Sequence, residues 1–157
     1  MPIPQFNHYG LLPTGIHECT LAEIEANFIY NGERKLIWND FLRYFEQIRE
    51  HSEILTLYFD GSFVTNRERP GDLDLVIEFE DLYQWGRLSR EAPDLFDSNK
   101  IKQEYNLDIL PCARVMMSWQ EDYRSLFQKL KLQDVVKLGT PEGFTKGILL
   151  VNLRGTE

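Results

Sequence analysis

Hydrophobic residues recur along this chain at two distinct periods, and the switches between them mark its elements. Leu21, Ile24 and Phe28 fall on one helical face behind Thr20 and Glu23, whose spacing is that of a capping box, so a short helix is expected there. Past a turn at Asn31-Gly32, Ile37, Phe41, Phe45 and Ile48 recur at helical intervals among charged residues, predicting a longer amphipathic helix over 35–50. The period then shortens to two. Residues 54–59 form a β-rich run ending at Asp60-Gly61-Ser62. Residues 72–79 alternate, so that Leu73, Leu75, Ile77 and Phe79 share one strand face and Asp72 and Asp74 the other.

Residues 80–103 read as helix in pieces, broken around Gly86 and Pro93. A third strand follows over 104–110, with Asn106 and Asp108 on one face and Tyr105, Leu107 and Ile109 on the other. Ser118 with Glu121 repeats the capping-box spacing and predicts a last helix with Trp119, Tyr123, Leu126 and Leu130 as its apolar stripe, and 147–153 reads as a closing strand or tail. Residues 1–19, punctuated by Pro2, Pro4, Pro13 and Gly15, predict an extended arm. No repeat or compositional break marks a linker, and 157 residues with 43% hydrophobic content suit a single domain over 1–157 with a substantial core.

Chemistry enters on the acidic face of 72–79. Two carboxylates two residues apart on a strand stand roughly 6–7 Å apart and repel unless neutralised, for which a divalent cation is the usual agent. Ahead of them, Gly61 lets backbone approach an anion with no Cβ in the way, and Ser62 offers a hydroxyl and an amide at a turn. Arg67 and Arg69, between that turn and the aspartates, and Lys146 between Gly143 and Gly147, are the cations placed to meet a phosphate. Each signal has a plain alternative: an ordinary Gly-Ser turn, a solvated strand face, solvated loop cations. Asp60 is read as orienting the turn and Glu78 as continuing the acidic face, while His8, His17 and His51 lack ligand spacing and are assigned capping or packing.

A formal net charge of -8 and a pI near 4.9 argue against a broad surface for duplex nucleic acid. Cys19 and Cys112 have no CxxC spacing and no leader pattern opens the chain, so two free thiols in a reducing cytoplasm are expected. No apolar run reaches the length of a membrane span.

Gly61-Ser62, a nine-residue gap, Asp72-Leu73-Asp74 and then Asp108 on a later strand resemble the DNA polymerase β-type nucleotidyltransferase superfamily, above all its minimal bacterial members. The segments Gly-Ile-His-Glu-Cys-Thr at Gly15 and Asp-Gly-Ser-Phe-Val-Thr at Asp60 are similar to those of one group of such proteins. The resemblance implies an α+β polymerase β-type nucleotidyltransferase fold: a mixed sheet with helices packed on one face and no appended second domain. It further implies two Mg²⁺ ions, with Mn²⁺ as a substitute, held by Asp72, Asp74 and Asp108, and a nucleoside triphosphate held at Gly61 and Ser62, with Arg67 and Lys146 as further phosphate contacts. The reaction implied is transfer of a nucleoside monophosphate to a hydroxyl of a protein side chain, an RNA end or a small molecule. Such members often work within a toxin–antitoxin or phage-defence pair, which makes a protein partner a reasonable expectation. Only 49 residues follow Asp108, which disfavours templated polymerisation. Two competing expectations remain: a catalytically silent, antitoxin-like interaction module on the same fold, and a nucleotide sensor.

Overall fold

Five strands of alternating or wholly apolar character hydrogen-bond into one mixed sheet in the computed structural model of this protein, which describes residues 3–154. The strands are β1 (Gly15–Glu18), β2 (Thr56–Asp60), β3 (Leu73–Phe79), β4 (Leu107–Ala113) and β5 (Gly147–Asn152). Their spatial order is β1-β5-β2-β3-β4. β2 runs antiparallel to both β3 and β5, whereas β1 is parallel to β5 and β4 is parallel to β3. A parallel neighbour needs a crossover, and α3 (Leu82–Glu91), α4 (Pro93–Phe96) and α5 (Ser98–Tyr105) supply it between β3 and β4. Ahead of β2 lie α1 (Leu21–Phe28) and α2 (Gly32–Ile48); between β4 and β5 lie α6 (Tyr123–Leu126) and α7 (Leu132–Leu138).

The period-2 alternation divides the sheet into two unlike faces. Leu57, Phe59, Leu73, Leu75, Ile77, Phe79, Leu107, Ile109, Leu149 and Val151 point to the main core, where α1 to α5 deliver Phe28, Trp38, Phe41, Tyr44, Leu88, Phe96 and Ile101. Trp38 stacks on Phe63 and Phe41, and Phe41 meets Phe59 edge-on, so an aromatic block joins α2 to β2 and the turn after it. The opposite face is wet only in part. Tyr58, Val76, Cys112 and Ile148 form a second, smaller core against Tyr123 and Phe127. Helices on one face alone is therefore corrected: α6 covers the other side. Glu78, expected on an open acidic face, is buried there and receives the Arg124 guanidinium at 3.0 Å, fastening α6 to β3.

Local signals located most of the elements and misplaced some ends. The capping box at Thr20 and Glu23 is formed in both directions. Asn31 proves to be the N-cap of α2, its side chain accepting from the Arg34 amide, so that helix starts at Gly32 rather than residue 35. Gly86 lies inside α3 and breaks nothing, while Pro93 opens α4 at the first position, where its missing N–H is not needed. The strand expected over 104–110 begins at Leu107: Tyr105 ends α5, and Asn106, with φ 56°, is its left-handed cap and shares no face with Asp108. The helix expected from Ser118 shrinks to the single turn of α6 behind Asp122, leaving Trp119 79% exposed, and α7 follows unannounced. The expected N-terminal arm contains β1, which pairs with β5 from Gly15↔Gly147 onward; Met1 and Pro2 of that arm lie outside the described residues.

Candidate functional site

Register carries three aspartates into a row. Asp60 on β2 stands opposite Asp74 on β3, and Asp74 opposite Asp108 on β4, so all three lie on the sheet face away from the main core. Asp72, just ahead of β3, joins them, and carboxylate oxygens of Asp72, Asp74 and Asp108 all lie within 4.8 Å of one another. Like charges so close cannot all ionise freely. Burial, and then the charges of Asp72 and Asp108, push the Asp74 carboxyl up to about 7. Burial and the hydrogen bond shared with Asp108 raise Asp72. For Asp108 burial works upward too, but contacts with Asp72 and Lys102 outweigh it and its carboxyl is lowered. Asp60 is fully buried with no hydrogen-bond partner on either oxygen among the described residues, and burial followed by the Asp74 charge holds it well above the usual carboxylate range.

Two further features fit this row. Gly61 adopts φ +80°, a region that disfavours side chains, and an added Cβ would collide with the Asp74 carboxylate. Its lack of a side chain is what lets the turn lie against the acidic face. Ser62 opens a 3-10 turn, Ser62–Val64, closed by Thr65, whose hydroxyl donates to the Ser62 carbonyl at 2.6 Å. Behind that turn the fully buried guanidinium of Arg34 donates to four carbonyls: Phe28 at 3.2 Å, Phe63 at 2.6 Å, Thr65 at 2.7 Å and Arg67 at 2.7 Å. No sequence signal singled out Arg34, which sits on an otherwise unremarkable helical face.

A cleft of about 650 Å³ opens between the acidic face and the segment joining α6 to α7. Gly61, Ser62, Asp72 and Asp74 line one side; Arg67, Lys129, Lys131 and Lys146 place four cations around it. Burial lowers the Lys146 ammonium, while the charges of Asp60, Asp134 and Asp74 work to retain it. Lys129 and Lys131 went unnoticed because nothing local distinguishes them from solvated lysines. Asp108 does not line the cleft; it stands at the outer end of the row. There Lys102, from the last turn of α5, donates to Asp72 Oδ2 at 2.6 Å and to Asp108 Oδ2 at 3.2 Å.

Other candidates lie elsewhere. Arg69 faces Glu33 at 3.9 Å and does not reach the cleft. The His17 ring contacts the Pro13 carbonyl at 2.6 Å, His51 lies edge-on to Phe96, and His8 packs on Tyr9, in line with packing roles. Cys19 and Cys112 are buried free thiols, each pushed up to about 12 by burial. Among the described residues no helix is long and apolar enough to cross a membrane.

No curated protein and no solved structure matches this chain. The profile of DUF6932, a family of unknown function, matches residues 4–152, a span that takes in β1, the turn, all four aspartates and β5, and the chain belongs to that family.

Proposed function

We propose that this protein is a metal-dependent nucleotidyltransferase of the polymerase β type, using Mg²⁺ or Mn²⁺ and a nucleoside triphosphate. The observation that carries the reading is the convergence of Asp72, Asp74 and Asp108 within 4.8 Å beside the Gly61-Ser62 turn and a cation-lined cleft. The donor set suits a hard cation, being all carboxylate oxygen. Oxygens bound to one Mg²⁺ at about 2.0–2.1 Å stand about 2.9 Å apart when cis and about 4.2 Å apart when trans, so carboxylates within 4.8 Å of one another draw together by up to about 2 Å to share an ion. Both the unpartnered Asp60 carboxyl, opposite Asp74 in the sheet, and Gly61, where an added Cβ would meet the Asp74 carboxylate, adjoin the trio.

When bound, the metal supplies neutralisation of phosphate charge and alignment of the acceptor oxygen with the phosphorus. The chain's own residues do the rest. Arg67, Lys129, Lys131 and Lys146 bind the triphosphate charge, and the Gly61-Ser62 turn, braced by Arg34, seats it. The carboxylate row is also where the proton of an acceptor hydroxyl would be taken up. The acceptor is a protein side chain, an RNA end or a small molecule.

The test is incubation with each α-labelled triphosphate and Mg²⁺ or Mn²⁺, with and without cell extract, beside the Asp72→Ala/Asp74→Ala double variant. Label transferred by the wild type and lost in the variant supports the enzyme. Absence of transfer together with absence of metal-dependent nucleotide binding refutes it in favour of an interaction module, and binding without transfer refutes it in favour of a sensor.

A further inference from the structure

Lys102 holds the outer end of the acidic row in a manner that ordinary surface lysines do not. Its helix is anchored by buried Ile101 and Tyr105. The cap residue Asn106 donates from its amide to the Lys102 carbonyl at 3.0 Å and from its side chain to the Gly71 carbonyl at 2.9 Å, next to Asp72. The ammonium is thereby delivered between Asp72 Oδ2 and Asp108 Oδ2, with 41% of its side chain exposed.

Resting on the metal-site reading above, we infer that this site takes a single divalent cation, bound toward Asp74 and the cleft, and that the Lys102 ammonium between Asp72 and Asp108 is the second positive centre where the resemblance implies a second ion. Charge counting agrees. Ionised, as carboxylates must be to ligate a metal, the three carry -3, Lys102 returns +1, and one divalent ion completes neutrality; a second ion would leave the row at +2 before any substrate arrives. The triphosphate does not require that excess, since Arg67, Lys129, Lys131 and Lys146 already surround the cleft. Geometry agrees as well: Asp74 lines the cleft, whereas Asp108, the ligand that a second ion would share with Asp72, lies outside it under the lysine. Lys102 is thus a positioning residue that sets the ion count and holds Asp72 and Asp108 together.

Mn²⁺ binding to the full chain, followed by the electron paramagnetic resonance signal of free Mn²⁺, reads the stoichiometry directly. Sites are those lost in the Asp72→Asn/Asp74→Asn double variant. One site per chain is expected for the wild type and for Lys102→Arg, which keeps a cation between the carboxylates, and two for Lys102→Met and Lys102→Gln. Two sites in the wild type, or one in both neutral variants, overturn the role of Lys102 and leave the metal-site reading intact. No Mn²⁺ site in the wild type overturns both.

Discussion

Arg34→Met is the perturbation that most directly tests how the turn over the acidic face is held. The guanidinium is fully buried and, among the described residues, faces no carboxylate; its partners are four carbonyls, one at the end of α1 and three along residues 63–67. It also lies 4.6 Å from the Tyr30 ring centroid and 5.1 Å from that of Phe63. Methionine fills much of the volume but leaves the carbonyls without donors, at about 1–3 kcal/mol each when they stay dry. Two terms reduce the sum: the segment near Arg67 can rehydrate, and the several kcal/mol spent on desolvating a cation are recovered. A net loss of about 3 kcal/mol follows, at the upper end of what most single substitutions cost, as expected for breaking a buried hydrogen-bond network. With a urea m-value of about 2 kcal/mol/M for a chain of this size, the midpoint falls by about 1.5 M at unchanged m, read by circular dichroism. Arg34→Lys, with three donors and no fork, should recover part of the loss. A midpoint shift under about 0.5 M for Arg34→Met would refute the reasoning, because it would mean that the four carbonyls find other partners at little cost.

Two other outcomes are expected. Gly61→Ala forces a side chain into φ +80° and against the Asp74 carboxylate, so a loss of about 2–3 kcal/mol in stability should accompany loss of Mn²⁺ binding; calorimetric titration with Mn²⁺ at unchanged affinity would count against the close packing of turn and acidic face. For Asp60, whose folded carboxyl is raised, the sign runs against alkaline stability: the unfolded chain ionises near its ordinary value while the native state keeps the proton, so stability drains as pH rises toward the folded pKa. Asp60→Asn does not titrate, so in EDTA its urea midpoint relative to wild type should increase as pH rises above the ordinary carboxylate range, and a flat difference would show that Asp60 is not held protonated.

What the sequence determined about this protein is what depends on near neighbours in the chain. The capping box at Thr20, the 3.6-residue stripe of α2 and the alternation of β3 are all local, and so is the pairing of Asp72 and Asp74. The fold class, an α+β domain around a mixed sheet, follows from those periods and from the resemblance that they and the Gly-Ser and aspartate spacing support. Where a local signal had two readings the boundaries slipped: Asn106 alternates correctly for a strand yet serves as a helix cap, because the buried anchors Ile101 and Tyr105 are satisfied only if the helix runs to residue 105.

Tertiary structure alone decided the rest. β1 is a strand only because β5, more than 130 residues later, offers it an edge. Asp60 and Asp108 enter the row through sheet register, which no single segment encodes. Arg34 and Lys102 are ordinary helical residues in the sequence, and each has at least one partner about thirty positions away. Their roles come from which carbonyls and carboxylates the fold leaves in need of a cation, and that need exists only once burial has removed the water that would otherwise meet it.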